Sequence, residues 1–167
     1  MTMKKNNLGF TLIELLAVVL IIGIMTSIAL PQYRRSVSRA EAMEAMVNLR
    51  TLFDSAKRYK AANSEAPMKL NGLDVSFFDA TNDNTNTFDI GRFRYTFGGD
   101  GIKSCRIAAS IDYCFMFYYT YQGEKEVLTC KTENPDGKYG WLCESIGTYQ
   151  VPNSTNEYYI DKKRPAN

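Results

Sequence analysis

The 167-residue chain has no histidine. That absence removes Ser-His-Asp and Cys-His catalysis, histidine-containing zinc sites and the ordinary neutral-pH proton shuttle. An excess of one charge is missing too. Twenty Lys+Arg against 18 Asp+Glu leave +2, far from the dense basic surface of a nucleic-acid binder. The four cysteines form no CxxC pair, and no glycine-rich phosphate loop or metal-ligand motif occurs. The expectation is a non-enzyme with no cofactor, no metal and no catalytic residues. What is present is apolar: 45% hydrophobic and 13% aromatic residues suffice for a folded core.

The apolar residues are unevenly spread. Residues 1–9, MTMKKNNLG, carry Lys4 and Lys5, and Phe10 to Leu30 then reads FTLIELLAVVLIIGIMTSIAL with one charge, Glu14. As a helix this run spans about 32 Å against a hydrocarbon core of ~30 Å, long enough to cross a membrane. A secretory signal peptide is one reading, with cleavage before Leu30 after Ser27-Ile28-Ala29. Glu14 argues against it, because a carboxylate at the start of the apolar run makes insertion costlier and serves no purpose in a disposable signal.

Gly9-Phe10-Thr11-Leu12-Ile13-Glu14, behind a Lys-bearing leader and ahead of an apolar stretch, resembles the class III signal of type IV pilins and type II secretion pseudopilins. The resemblance covers roughly the first 31 residues. It implies that a prepilin peptidase cuts between Gly9 and Phe10 and that the new amine of Phe10 is methylated. It also implies a single-pass protein of the cytoplasmic membrane whose head lies outside and which later packs into a filament. The partners implied are other copies of itself, the peptidase and the inner-membrane pilus or type II secretion assembly machinery, with no nucleic acid. Within a dry filament, the Glu14 carboxylate is expected to meet the α-amine of a neighbouring Phe10 and so set subunit register. Gly23 and Pro31 are the expected weak points of the helix, and in pili of this family the interval between residues so placed loses helicity on assembly.

From Gln32 to Asn63 the sequence is rich in helix formers, without Gly or Pro, and Ala42, Met46, Leu49, Phe53 and Ala56 fall on one face. Arg34, Arg35, Arg39, Glu44, Lys57 and Lys60 lie opposite. The set Met43, Met46, Leu49 and Phe53 is expected to be the core face beneath a sheet. Ser64 to Gly91 reads as a long loop. Strands are expected over Arg92–Phe97, Cys105–Ser110, Tyr113–Tyr121 and Glu126–Thr132, an antiparallel meander whose third member is central. The organisation is thus leader 1–9, membrane and filament-core helix 10–30, amphipathic helix 31–63 and head 64–167. The fold class is α+β, a long helix packed on a roughly four-stranded antiparallel sheet, type IV pilin-like.

The stripe Tyr113, Phe115, Phe117, Tyr119 and Tyr121 suits ordinary sheet packing better than base stacking. From Asn63 onward 11 Lys+Arg face 14 Asp+Glu, a net of −3 that repels phosphate. Cys105, Cys114, Cys130 and Cys143 all lie in the head, in an oxidising compartment if the N-terminal signal is as described, so disulfides are expected. Three connectivities are open. The sequential one, Cys105–Cys114 and Cys130–Cys143, is adopted, and its second bridge resembles the C-terminal disulfide loop of many type IV pilins. Asp79, Asp83 and Asp89 with Asn82, Asn84 and Asn86 match no calcium loop and are expected to be solvated. A surface pilus subunit, a type II secretion pseudopilin and a secreted or anchored disulfide-bonded binding protein all remain open.

Overall fold

The computed structural model describes residues 10–77, 80–81, 85–107, 112–121 and 124–160. The chain divides into two compact units, one up to Glu41 and one from Ala42. Helix α1, Leu12–Asn63, begins in the first and ends in the second. Pro31 sits inside it, and the helical assignment continues through both Gly23 and Pro31.

In the second unit the part of α1 from Ala42 onward covers one face of a sheet. Ala42, Ala45, Met46, Leu49, Leu52, Phe53 and Ala56 are buried at spacings of three and four, the single-faced pattern that a helix on a sheet requires. Met43 departs from expectation. It is 50% exposed and lines a shallow apolar cleft of about 400 Å³ with Met46, Val47 and Ile160. Its place in the sequence lies one step off the buried face, and the helical period turns it outward. The helix ends where Ser64 takes φ 63° and donates its N–H to the Lys60 carbonyl, a left-handed C-terminal cap.

The sheet has seven antiparallel strands where about four were expected. In chain order they are β1 Thr87–Ile90, β2 Phe93–Phe97, β3 Gly101–Arg106, β4 Tyr113–Tyr121, β5 Glu124–Thr132, β6 Tyr149–Gln150 and β7 Glu157–Ile160. Their spatial order is β1-β2-β3-β4-β5-β7-β6, which puts β4 at the centre. Strand β1 falls inside the expected loop, where alternating Phe88 and Ile90 are buried among polar neighbours. Strand β3 is shifted from the expected Cys105–Ser110, whose last three residues lie outside the described ones. A Cβ on Gly101 would stand 2.0 Å from the Phe117 carbonyl oxygen, so this glycine opens a strand and is not a turn residue.

Side-chain alternation sends Phe93, Tyr95 and Phe97 of β2, Ile102 of β3, Tyr113 and Phe115 of β4, and Leu128 of β5 into the core under α1. Phe53 packs on Phe117 and Tyr119 with ring centroids 3.9 and 5.0 Å apart. Tyr113, Phe115, Phe117 and Tyr119 of the β4 stripe thus belong to the core beneath the helix, while Tyr121 packs on the second cluster of Val127, Val151 and Tyr159. Residues 64–77 are held to α1 by Asp74, which accepts from Arg58 Nε (2.6 Å), Arg58 Nη2 (2.9 Å) and the buried Ser55 hydroxyl.

The structure pairs Cys105 with Cys114 and Cys130 with Cys143. The first pair sits directly opposite on β3 and β4, Cα atoms 4.1 Å apart. The second ties β5 to α2, Gly140–Ile146, a short helix inside the segment read as a loop. Of the acidic and amide residues considered for calcium, Asp79, Asn82, Asp83 and Asn84 lie outside the described residues. Asp89 pairs with Arg94 at 2.8 Å, and no group of three or more metal-ligating side chains occurs among the described residues.

Candidate assembly site

The candidate site is the start of α1. Thr11 precedes the first helical residue and Glu14 is the third residue within it. The Thr11 backbone N–H and hydroxyl both donate to Glu14 Oε2, at 2.8 and 2.7 Å, while the Glu14 N–H reaches the Thr11 hydroxyl oxygen at 3.4 Å. This is a capping box, in which Ser or Thr before the helix and Glu three residues on satisfy each other's backbone donors. The T-x-x-E spacing of this box is present in the sequence at Thr11 and Glu14. Glu14 therefore does two things: it starts the helix, and it carries the one formal charge among the side chains of Phe10–Leu30.

Around it the surface is apolar on every side. Each large apolar residue from Leu12 to Leu30 is at least 45% exposed, and Phe10 is 84% exposed. The polar exceptions are satisfied locally: Thr26 donates to the Ile22 carbonyl and Ser27 to the Ile24 carbonyl, both at 2.7 Å. Such back-bonding hides hydroxyls inside the helix's own hydrogen-bond system, which suits a low-dielectric surround. The helix is long and apolar enough to cross a membrane, and none of its most apolar 18-residue window is buried within the chain.

Of the residues singled out from sequence, Gly9 lies outside the described ones. Phe10 and Glu14 are placed together at the helix start. Gly23 faces open space, with nothing within 4 Å of an added Cβ. Pro31 offers no N–H to the carbonyl one turn back. The cysteines lie in the other unit.

Residues 4–30 match the family model described as the prokaryotic N-terminal methylation motif. The chain is 45% identical over 56 residues to the type IV major pilin protein PilA of Myxococcus xanthus, covering 34% of this chain and 26% of that one. It is 31% identical over 72 residues to the type II secretion system core protein G of Aeromonas hydrophila, covering 43% and 50%. To a fimbrial protein of Pseudomonas aeruginosa it is 37% identical over 81 residues, covering 46% and 53%. The chain thus spans between a quarter and about half the length of these relatives. No solved structure matches it. These relatives are structural proteins by name and not enzymes. In its methylation motif, the capped apolar helix behind it and these shared segments, the N-terminal part of the chain is similar to type IV pilins and type II secretion pseudopilins.

Proposed function

We propose that the protein is a structural subunit of a type IV pilus-like filament. A prepilin peptidase removes residues 1–9, Phe10 becomes the methylated N-terminus, and the subunit waits in the cytoplasmic membrane through Phe10–Leu30. The pilus or secretion machinery of that membrane then draws it out and stacks it on other copies, with the head outward.

The observation that carries this reading is the exposed apolar helix that starts at a single carboxylate. An apolar surface of this length needs cover from lipid or from other helices. The charge at its first turn is tolerated in a dry bundle when an α-amine of another copy stands against it, so the penalty falls on misaligned subunits. Gly23 and Pro31 are the places where the helix yields during packing.

Mass spectrometry of the mature N-terminus tests the processing step. Methyl-Phe10 is expected; a chain starting at Leu30 would mean an ordinary signal peptide and a secreted disulfide protein. Electron microscopy of cells with and without the gene separates surface fibres from the short periplasmic filament of a type II secretion pseudopilin. The likeness to core protein G keeps the pseudopilin as the second reading.

A further inference from the structure

The two disulfides of the head stand in opposite surroundings. Cys130 and Cys143 are fully buried and belong to the core cluster under α1. Cys130 stands opposite Phe115 on β4 and Tyr158 on β7. A Cβ on Gly147, just after α2, would meet Tyr158 Cβ at 2.5 Å, so α2 is seated tightly beside β7. No thiol reaches these sulfurs while the head is folded.

Cys105 and Cys114 occupy the other side of the sheet. Along β3 the buried Ile102 and Ser104 alternate with the partly exposed Lys103 and Cys105, and along β4 the core residues Tyr113 and Phe115 bracket Cys114. The pair therefore lies on the face turned away from α1. Cys105 is the one cysteine of the four that is not buried.

The strand register surrounds this bridge with cations. Arg94 of β2 stands directly opposite Cys105, Lys131 of β5 stands directly opposite Cys114, and Lys103, two residues before Cys105, shares their face. Three acids stand near these cations. Asp89 holds Arg94 at 2.8 and 3.0 Å, Glu133 is 3.9 Å from Lys131, and the buried Glu157, opposite Lys131, accepts from the Thr129 hydroxyl at 2.7 Å. Neither cysteine has an acid directly opposite it. A positive neighbour steadies a thiolate, and a disulfide opens faster when the sulfur that leaves is the better thiolate.

We propose that Cys105–Cys114 is a thiol–disulfide exchange site on the outer face of the sheet, set between Arg94 and Lys131 and open to a dithiol from solution, while Cys130–Cys143 is closed to it. A thiolate of the dithiol bonds to Sγ of Cys105, the Cys105–Cys114 bond breaks, and its electron pair leaves on Cys114 beside Lys131, where it takes up a proton. The second thiol of the dithiol then displaces the Cys105 sulfur. The head gains two electrons and two protons, and the dithiol leaves as its own disulfide. The site needs only the folded head and does not depend on the filament reading.

The test uses the full chain in detergent, dithiothreitol as the dithiol, trapping of free thiols with iodoacetamide and peptide mass mapping. Under native conditions Cys105 and Cys114 are expected to be trapped about tenfold faster than Cys130 and Cys143, and urea should erase the difference. Lys131→Glu is expected to slow opening of Cys105–Cys114 roughly threefold to tenfold, while Lys131→Arg keeps the wild-type rate. Melting temperature should change little in either variant, because this lysine side chain is 51% exposed. A change of rate then reads the surroundings of the sulfur and not the stability of the head.

Equal trapping of the two bridges in the native state, or faster trapping of Cys130 and Cys143, overturns the assignment. So does opening of Cys105–Cys114 only in step with global unfolding as urea is added. A Lys131→Glu variant that opens at the wild-type rate overturns the part assigned to the cations.

Discussion

On the early part of α1, Leu20 and Ile21 are 65% and 55% exposed, while further along the same helix Leu49 and Leu52 are fully buried. The side chains are of the same kind and the local backbone is the same. What differs is the sequence between them. From Ala42 the apolar residues keep to one face and the chain supplies a sheet for that face. Before Pro31 they occupy every face and no single sheet could cover them. The second region is stabilised by folding, and on the proposed filament reading the first is covered by association, so a substitution should affect one process and leave the other alone.

The largest expected effect breaks that comparison at its most sensitive point. Glu14→Ala removes both the capping box and the charge, whereas Glu14→Gln keeps a capping residue and removes only the charge. If register depends on the carboxylate, both variants stay in the membrane with a normally melting head and both lose filaments, by roughly tenfold or more. Filament counts and membrane fractionation read this out. Full yield from Glu14→Gln would reduce the residue to a helix start.

Next in size are paired truncations along the helix. Phe53→Ala opens a cavity under α1 against Phe117 and Tyr119 and should cost about 3 to 5 kcal/mol in thermal or denaturant unfolding of the chain in detergent. Ile21→Ala should leave the same unfolding curve in place and weaken only the assembled form. An equal loss of head stability from both would erase the distinction between the two regions.

The disulfides sharpen the comparison from the other side, since all four cysteines belong to the folded unit. Replacing Cys130 and Cys143 by serine reopens a loop of sequence separation 13 and should cost about 3 kcal/mol on the loop-entropy argument. Cys105 and Cys114, separated by 9, should cost slightly less. Non-reducing peptide mapping of the wild type checks the pairing independently.

These contrasts also explain what the sequence alone made legible. The α+β class, the boundaries of Tyr113–Tyr121 and the buried face of α1 followed from composition and period, because those residues mean the same thing wherever they pack. Strand β3 was misplaced because Gly101, beside two other glycines, carries the signal of a turn, and only the nearness of the Phe117 carbonyl reveals its other use. Strand β7 is four residues long and draws its pairing from the distant β5, which no local window contains, whereas β1, also four residues, pairs with the neighbouring β2 and is hidden by the polar stretch around it. At the candidate site the methylation motif is legible in the sequence, and so is the T-x-x-E spacing, but only the contacts of Thr11 with Glu14 show that the charged side chain also caps the helix.

The smallest expected effect concerns pH and is confined to the folded unit. The Arg58 guanidinium, followed by the Ser55 hydroxyl, holds the Asp74 carboxyl down at about 2. A carboxyl depressed in the folded state contributes stability above its unfolded value of about 3.9, and that contribution is lost as pH falls from about 4 toward 2. At the other end, burial, with help from the Glu157 charge, pushes the Tyr118 phenol up to about 12. A raised acid favours its protonated form in the fold, so its contribution is complete below about 10 and disappears as pH climbs to 12. Melting temperature against pH should therefore decline on both sides. Asp74→Asn should flatten the acid side and Tyr118→Phe the alkaline side, each leaving the other unchanged. The exposed apolar run before Pro31 has no histidine and a single acid, so the association of membrane-extracted chains should not follow the head's curve. Parallel pH profiles for melting and for assembly would show the two regions to be one cooperative system after all.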